Sequence, residues 1–110
     1  MNIFYNMAKC LLVTSAAPSL RIDKSSMFRL NLDQSTELTL TGTVVECQEY
    51  RLTINPTVTN ASLTFDDTLF DIAEGVTVPI FDTVDRYAVV RAIGVNDKLF
   101  IESIAYRSAN

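Results

Sequence analysis

Basic and aromatic side chains alternate near the C-terminal end of the chain, and residues of these types could bind a charged polymer. Aromatic rings stack on the bases of single-stranded nucleic acid, while cations bind its phosphates. The pattern therefore predicts a candidate face for nucleic acid or a protein partner. The same spacing is typical of core aromatics with charges at strand ends, and this second interpretation is favoured. The residues of the candidate face are Arg86, Tyr87, Lys98, Phe100, Tyr106 and Arg107.

Carboxylates are concentrated in two short segments. A divalent cation needs several oxygens that converge from a defined loop, and an acid–base pair needs two carboxyls flanking a substrate. The first segment has instead the spacing of a short helix with acids near its N-terminus, and the second that of an aspartate-containing turn. We therefore predict no metal site. The segments contain Asp66, Asp67, Asp71 and Glu74, and Asp82 and Asp85.

The residue types that most enzymes use are scarce. The chain has no histidine, the commonest side chain for general acid–base catalysis and metal binding. It has two cysteines, Cys10 and Cys47, whereas a zinc site needs about four nitrogen or sulfur ligands. Free cysteine packs as a small hydrophobic residue, so two free buried thiols are favoured over one disulfide. No glycine-rich phosphate loop occurs, and we predict a protein that is not an enzyme and binds no cofactor.

Length and composition predict one ordinary globular domain, because the 110 residues are 48% hydrophobic and 20% charged. The formal net charge of −4 gives the whole chain no attraction to a phosphate backbone, which disfavours nucleic acid as a partner. The apolar stretch 7–17 has only weak features of a secretory signal and is shorter than the ~20 residues of a membrane helix. We expect no membrane contact, and a cytoplasmic or virion location rather than a secreted one.

Residues 1–36 lack a consistent period, apart from Phe28–Leu32, in which apolar and polar positions alternate. Pro18 interrupts any helix that begins near Phe4. We interpret 1–36 as an N-terminal arm and 37–110 as a single β domain. An ordered arm must pack against its own domain or against a neighbour.

From residue 37 onward, alternating β-branched and apolar residues predict strands. Leu38–Cys47 is interrupted by Gly42, where the phase changes and a bulge or bend is expected. Asp66–Gly75 instead predicts a short helix at 66–74, with an aspartate cap and a C-terminal glycine. Further strands are predicted at Tyr50–Ile54, Val58–Phe65 and Val76–Phe81.

A C-terminal hairpin is the clearest local pattern. Arg86–Val95 and Lys98–Arg107 flank an Asn-Asp pair at 96–97, which tolerates the positive φ of a type I′ turn. This turn places Arg91 opposite Glu102, and we predict a cross-strand ion pair between them, worth about 0.2–1 kcal/mol. Other residues opposed in this register are Val95 and Lys98, Ile93 and Phe100, and Tyr87 and Tyr106.

The predicted order of elements over 37–107 resembles the OB fold, a five-stranded Greek-key barrel with a helix between its third and fourth strands. The residues that carry the resemblance are Leu38–Cys47 with its central glycine, the helix Asp66–Gly75 and the closing strand Leu99–Ala105. The resemblance implies a mainly β chain with a small barrel of five to six strands. A β-sandwich with the same number of strands is the alternative.

The favoured hypothesis for function is a non-catalytic structural or assembly protein that acts through protein–protein contacts. A component of a virion or large complex, docked by its N-terminal arm, would fit this hypothesis. Its partners would be protein subunits in a homo- or hetero-oligomer. One alternative is an OB-fold protein that binds single-stranded nucleic acid through the hairpin face. The other is a small regulatory or inhibitory partner protein.

Overall fold

Ten β-strands form the regular structure of residues 10–108, the part of the chain that the computed structural model describes. No helix occurs in this part of the chain. The strands are β1 (Cys10–Thr14), β2 (Ser19–Arg21), β3 (Met27–Leu32), β4 (Thr36–Thr41), β5 (Glu49–Pro56), β6 (Ala61–Phe65), β7 (Phe70–Ile72), β8 (Ile80–Phe81), β9 (Arg86–Val95) and β10 (Lys98–Ser108).

The strands form two sheets, and the first six strands alternate between them. The six-stranded sheet has the order β1-β3-β5-β9-β10-β7, and the four-stranded sheet has the order β2-β4-β6-β8. Strands β1, β3 and β5 pair in parallel, as do β2, β4 and β6. The chain therefore winds from β1 to β6 as successive coils, each of which adds one strand to each sheet. The return strand in the opposite sheet serves as the crossover that a parallel pair requires.

Apolar side chains lie in rows that cross the six-stranded sheet. Buried and more exposed positions alternate along its long strands, as the pleat requires. Side chains of the four-stranded sheet, including the fully buried Leu38 and Leu63, belong to the same hydrophobic cluster. One core thus lies between the two sheets. The two longest rows are Leu11, Phe28, Leu52, Val90 and Ile104, and Val13, Leu30, Ile54, Ala88 and Tyr106.

Residues 10–36 belong to these sheets, in contrast to the arm expected for 1–36. β3 lies inside the six-stranded sheet between β1 and β5, and both Phe28 and Leu30 are at most 1% exposed. Alternation marks only Phe28–Leu32 as a strand, and the sequence does not show that 10–36 joins the sheets, because these strands are short and pair with strands distant in sequence. Residues 1–9 of the expected arm lie outside the described residues.

The mainly β class is confirmed, but the OB-like barrel is not. The strands form two sheets that contain parallel ladders, whereas OB barrels are antiparallel. Leu38–Cys47 does not form one bent strand, because β4 ends at Thr41 and Gly42 turns the chain with a φ of +116°. Glycine adopts this conformation without the steric cost that a side chain would add.

The helix predicted at 66–74 is not seen, and a single turn leads into β7 instead. The Thr68 hydroxyl and backbone N–H donate to Oδ1 of Asp66 at 2.7 and 2.9 Å, and these hydrogen bonds hold the pKa of Asp66 below its usual value. The next residues, Phe70–Ile72, extend and pair in parallel with β10. A two-turn helix has little stability of its own, and pairing with β10 buries Phe70 instead.

The C-terminal hairpin is confirmed at its turn, where Asn96 and Asp97 have φ angles of 53° and 68°. The predicted register holds from the turn to the pair of Ala92 and Ile101, and beyond that pair a register shift around Glu102 moves β10 by one residue.

The register shift overturns the ion pair predicted between Arg91 and Glu102. Arg91 lies opposite Ser103, and its guanidinium pairs with Glu49 of β5 at 3.5 Å. The unshifted register would have directed Ser103 and Ala105 toward the core. A one-residue bulge reverses the faces beyond it and turns Ile104 and Tyr106 inward, where both pack against the core cluster.

Replacement of Leu30 by alanine tests whether residues 10–36 are part of the core. Leu30 is fully buried in an interior strand, so Leu30→Ala should lower the free energy of unfolding by about 2–5 kcal/mol in urea denaturation. Met27 lies on the same strand with 37% of its surface exposed, and Met27→Ala should cost less than about 1 kcal/mol. Equal losses in the two variants would contradict this arrangement.

Candidate binding surface

Three arginines lie next to one another on the outer face of the six-stranded sheet. They are Arg29 of β3, Arg51 of β5 and Arg91 of β9, and all three are exposed. Each alternates with buried apolar neighbours, as in Phe28-Arg29-Leu30, so the burial of the apolar row directs each guanidinium outward. We call Arg29, Arg51 and Arg91 the arginine patch.

The sheet register places two of these arginines directly opposite one another. Arg51 pairs with Arg91 across the antiparallel β5–β9 ladder. Arg29 lies opposite Thr53, two residues along β5 from Arg51, and is therefore its diagonal neighbour. Like charges in direct cross-strand positions are destabilising.

Only one member of the arginine patch has a carboxylate partner within residues 10–108. Glu49 contacts Arg91 at 3.5 Å, and both side chains are more than half exposed. Neither Arg29 nor Arg51 forms an ion pair within the described residues. The patch therefore retains most of its positive charge at the surface.

Two shallow depressions of about 280 and 320 Å³ flank the patch. Arg51 and Arg91 line the first depression, together with other residues of β5 and of the loop before it. Arg29 lines the second, beside Tyr87. The other lining residues are Ser26, Met27, Gln48, Glu49 and Tyr50 in the first depression, and Cys10, Thr53 and Asn55 in the second.

The residues expected to form one hairpin face are divided between two faces. Arg107 lies opposite Tyr87, on the strand positions adjacent to the inward-facing Tyr106 and Ala88, and both therefore belong to the outer face. Phe100 also has the outward position between Leu99 and Ile101, which are both buried.

Arg86 and Tyr106 form a separate contact on the core side of the hairpin. The Arg86 guanidinium lies 4.6 Å from the centroid of the Tyr106 ring, a cation–π geometry. The ring also packs edge-on against Phe81 at 5.9 Å. Burial raises the pKa of Tyr106, and the positive charge of Arg86 offsets part of that effect.

Lys98, the last residue of the predicted face, forms an ion pair and a hydrogen bond within the fold. Its ammonium lies 3.6 Å from a carboxylate oxygen of Asp71 and donates a hydrogen bond to the Asp67 carbonyl at 3.2 Å. The structure thus leaves Tyr87, Phe100 and Arg107 on the outer face, and places Arg86, Lys98 and Tyr106 in contacts within the fold.

Arg29 and Arg51 are not among the residues that the sequence singles out as a candidate face. Each has a local signal, since it is a charged residue between two apolar ones in a predicted strand. Their proximity to Arg91 depends on pairing between strands that are far apart in sequence, for which the residues give no local signal.

Cys10 and Cys47 are both free and exposed, so the expectation of buried thiols is wrong. Within residues 10–108, no three carboxylate or thiol side chains converge as a metal site would require. The same part of the chain has no helix with the length and apolar character needed to cross a membrane.

Comparison of the chain with protein-family models, with curated proteins and with solved structures finds no match. The geometry of the described residues therefore provides the evidence for function.

The environment of Tyr106 predicts that the stability of the fold depends on pH, and that Arg86 influences the pKa of this tyrosine. Folding raises the pKa of Tyr106. The contribution of this residue to the free energy of unfolding is therefore fully present below the unfolded pKa of about 10, and it is lost as the pH rises through the folded pKa. Arg86→Gln removes the charge that lowers this pKa, so the pKa of Tyr106 should rise further. An absorbance titration of tyrosinate, with Tyr106→Phe as the reference that isolates this ring, measures the change. An unchanged or lower pKa would contradict the assignment.

Proposed function

We propose that the protein is a non-catalytic structural protein that assembles through protein–protein contacts at the edge strand β1. The observation that carries this proposal is the unprotected edge of β1. No described strand pairs on the side of β1 away from β3, and only its last residue, Thr14, forms an isolated bridge, to Ala17. Unpaired backbone N–H and C=O groups at such an edge are a template for another strand. Leu12, at the centre of β1, is 61% exposed.

The other sheet edges carry features that prevent strand addition. β8 has two residues and follows Pro79, and β2 has three residues, follows Pro18 and ends in Arg21. β7 has three residues and carries Asp71 at its centre. Short strands, prolines and charges are the usual ways in which proteins protect an edge. β1 has five residues and contains no charge or proline.

A second copy of the chain is the occupant that suits this edge best. Two copies of β1 can pair antiparallel about a two-fold axis, so that one edge serves both partners. Leu12 is the middle residue of Cys10–Thr14, and the axis would bring the two Leu12 side chains together. Because the strand has no charged residue, the pairing brings no like charges together.

The alternatives draw less support from the same geometry. Single-strand nucleic-acid binding was expected to use one hairpin face, and its six residues are divided between two faces and several internal contacts. A regulatory or inhibitory protein would use the β1 edge with a different chain, and would form a hetero-oligomer rather than a homodimer.

Replacement of Leu12 by lysine tests the proposal. Sedimentation equilibrium should show a dimer for the unmodified chain. Leu12→Lys should weaken association by about tenfold or more, because it places two like charges at the two-fold axis. Ile80→Lys is the matched control, since Ile80 is 64% exposed on the β8 edge and should leave the dimer intact.

Two outcomes of this experiment, and one observation made with a different protein present, would contradict the proposal. A monomeric chain at micromolar concentration would exclude self-assembly through β1. Equal weakening by Leu12→Lys and Ile80→Lys would show that the effect is not specific to this edge. A stable complex with a different protein that Leu12→Lys abolishes would favour the regulatory alternative.

A further inference from the structure

We propose that the arginine patch is a second interaction surface, which binds a carboxylate-bearing segment of a protein partner. The surface lies on the outer face of the six-stranded sheet. Arg29 lies opposite Leu12 of β1, but Arg51 and Arg91, which carry the proposal, lie on β5 and β9. The ligand is an acidic peptide segment whose carboxylates contact Arg51 and Arg91, with Arg29 as the third cation.

The first support is the uncompensated charge of the patch. Arg51 and Arg91 are opposed on neighbouring strands, and Glu49 contacts Arg91 while Arg51 has no ion pair within residues 10–108. A like-charge pair at this position is unfavourable in the free protein. An anion bound between the two guanidinium groups would remove that cost, so the arrangement favours the bound state.

The second support is the chemistry of the side chains. Guanidinium groups form planar, two-pronged hydrogen bonds that match the two oxygens of a carboxylate. The patch consists of arginines alone, and the depressions beside it hold further polar groups that can bind a peptide backbone. These include the side chains of Gln48 and Asn55.

The net charge of the chain and the residues beside the patch favour a protein ligand over nucleic acid. A nucleic acid is a long polyanion that also interacts with the rest of the chain, which carries a net charge of −4. A single-stranded nucleic acid further requires exposed aromatic rings for stacking. Of the two aromatic residues that line the depressions, Tyr50 is buried and Tyr87 is only partly exposed. A short acidic segment needs only the local positive charge.

The experiment uses the full chain and a fluorescent tetraglutamate peptide, with binding followed by anisotropy. Arg51→Gln should weaken binding by about tenfold, because hydrogen bonds to charged groups are typically worth that much. Arg21→Gln is the matched control: it removes the same charge, but Arg21 lies on the four-stranded sheet and pairs with Asp23 at 3.3 Å. Arg21→Gln should change the affinity by less than about twofold.

Three results would overturn the inference. Equal losses in Arg51→Gln and Arg21→Gln would show an effect of net charge only. Tighter binding of an oligothymidylate of equal charge would assign the surface to nucleic acid instead. No measurable binding of the peptide would also overturn it. Each of these results leaves the test of β1 unaffected, because that test measures the association of copies of the chain.

A measurement on the free protein checks the premise of charge repulsion. If Arg51 and Arg91 repel each other, Arg51→Gln should raise the midpoint of thermal unfolding at low ionic strength by about 1–4 °C. Added salt should reduce the difference, since it screens exposed charges. A lower midpoint at low salt would show that Arg51 stabilises the fold and would contradict the inference.

Discussion

The apolar rows that cross the six-stranded sheet are the constraint on which the rest of the structure depends. In each row, inward-facing side chains of β1, β3, β5, β9 and β10 lie side by side, and their burial fixes the register of these five strands. A slip of one residue in any of these strands would turn the apolar side chains of that strand to solvent. The bulge at Glu102 follows from the same constraint, because it keeps Ile104 and Tyr106 in the rows.

The same alternation creates both proposed surfaces. Burial of Phe28, Leu52 and Val90 directs the intervening arginines outward and brings them together across three strands. Winding of the chain into coils places β1 at one end of the six-stranded sheet. A parallel coil of this kind ends in an edge strand, and this chain protects three of its sheet edges by short strands, prolines or charges and leaves β1 uncharged.

The sequence predicts those features that depend on neighbouring residues. The Asn96–Asp97 turn is predictable because positive φ at two successive positions needs such residues. The aspartate cap was expected to begin a helix, but Asp66 accepts hydrogen bonds from Thr68 in a single turn instead. The parallel pairing of β3 with β5 was not predictable, because no repeat links their sequences. The arginine patch depends on that pairing, and so its residues were identifiable only one at a time. The prediction of a short helix was wrong for a related reason. Phe70–Ile72 pairs with β10, which is distant in sequence, instead of continuing a local helix.

Amide hydrogen exchange, followed residue by residue as a function of protein concentration, tests the account most directly. We expect the amides of β3 to be as protected as those of β5, because both strands lie inside the same sheet. We also expect the β1 amides that point away from β3 to exchange rapidly in dilute solution and to become protected as the chain associates. Rapid exchange throughout β3, or β1 amides whose protection does not change with concentration, would contradict it.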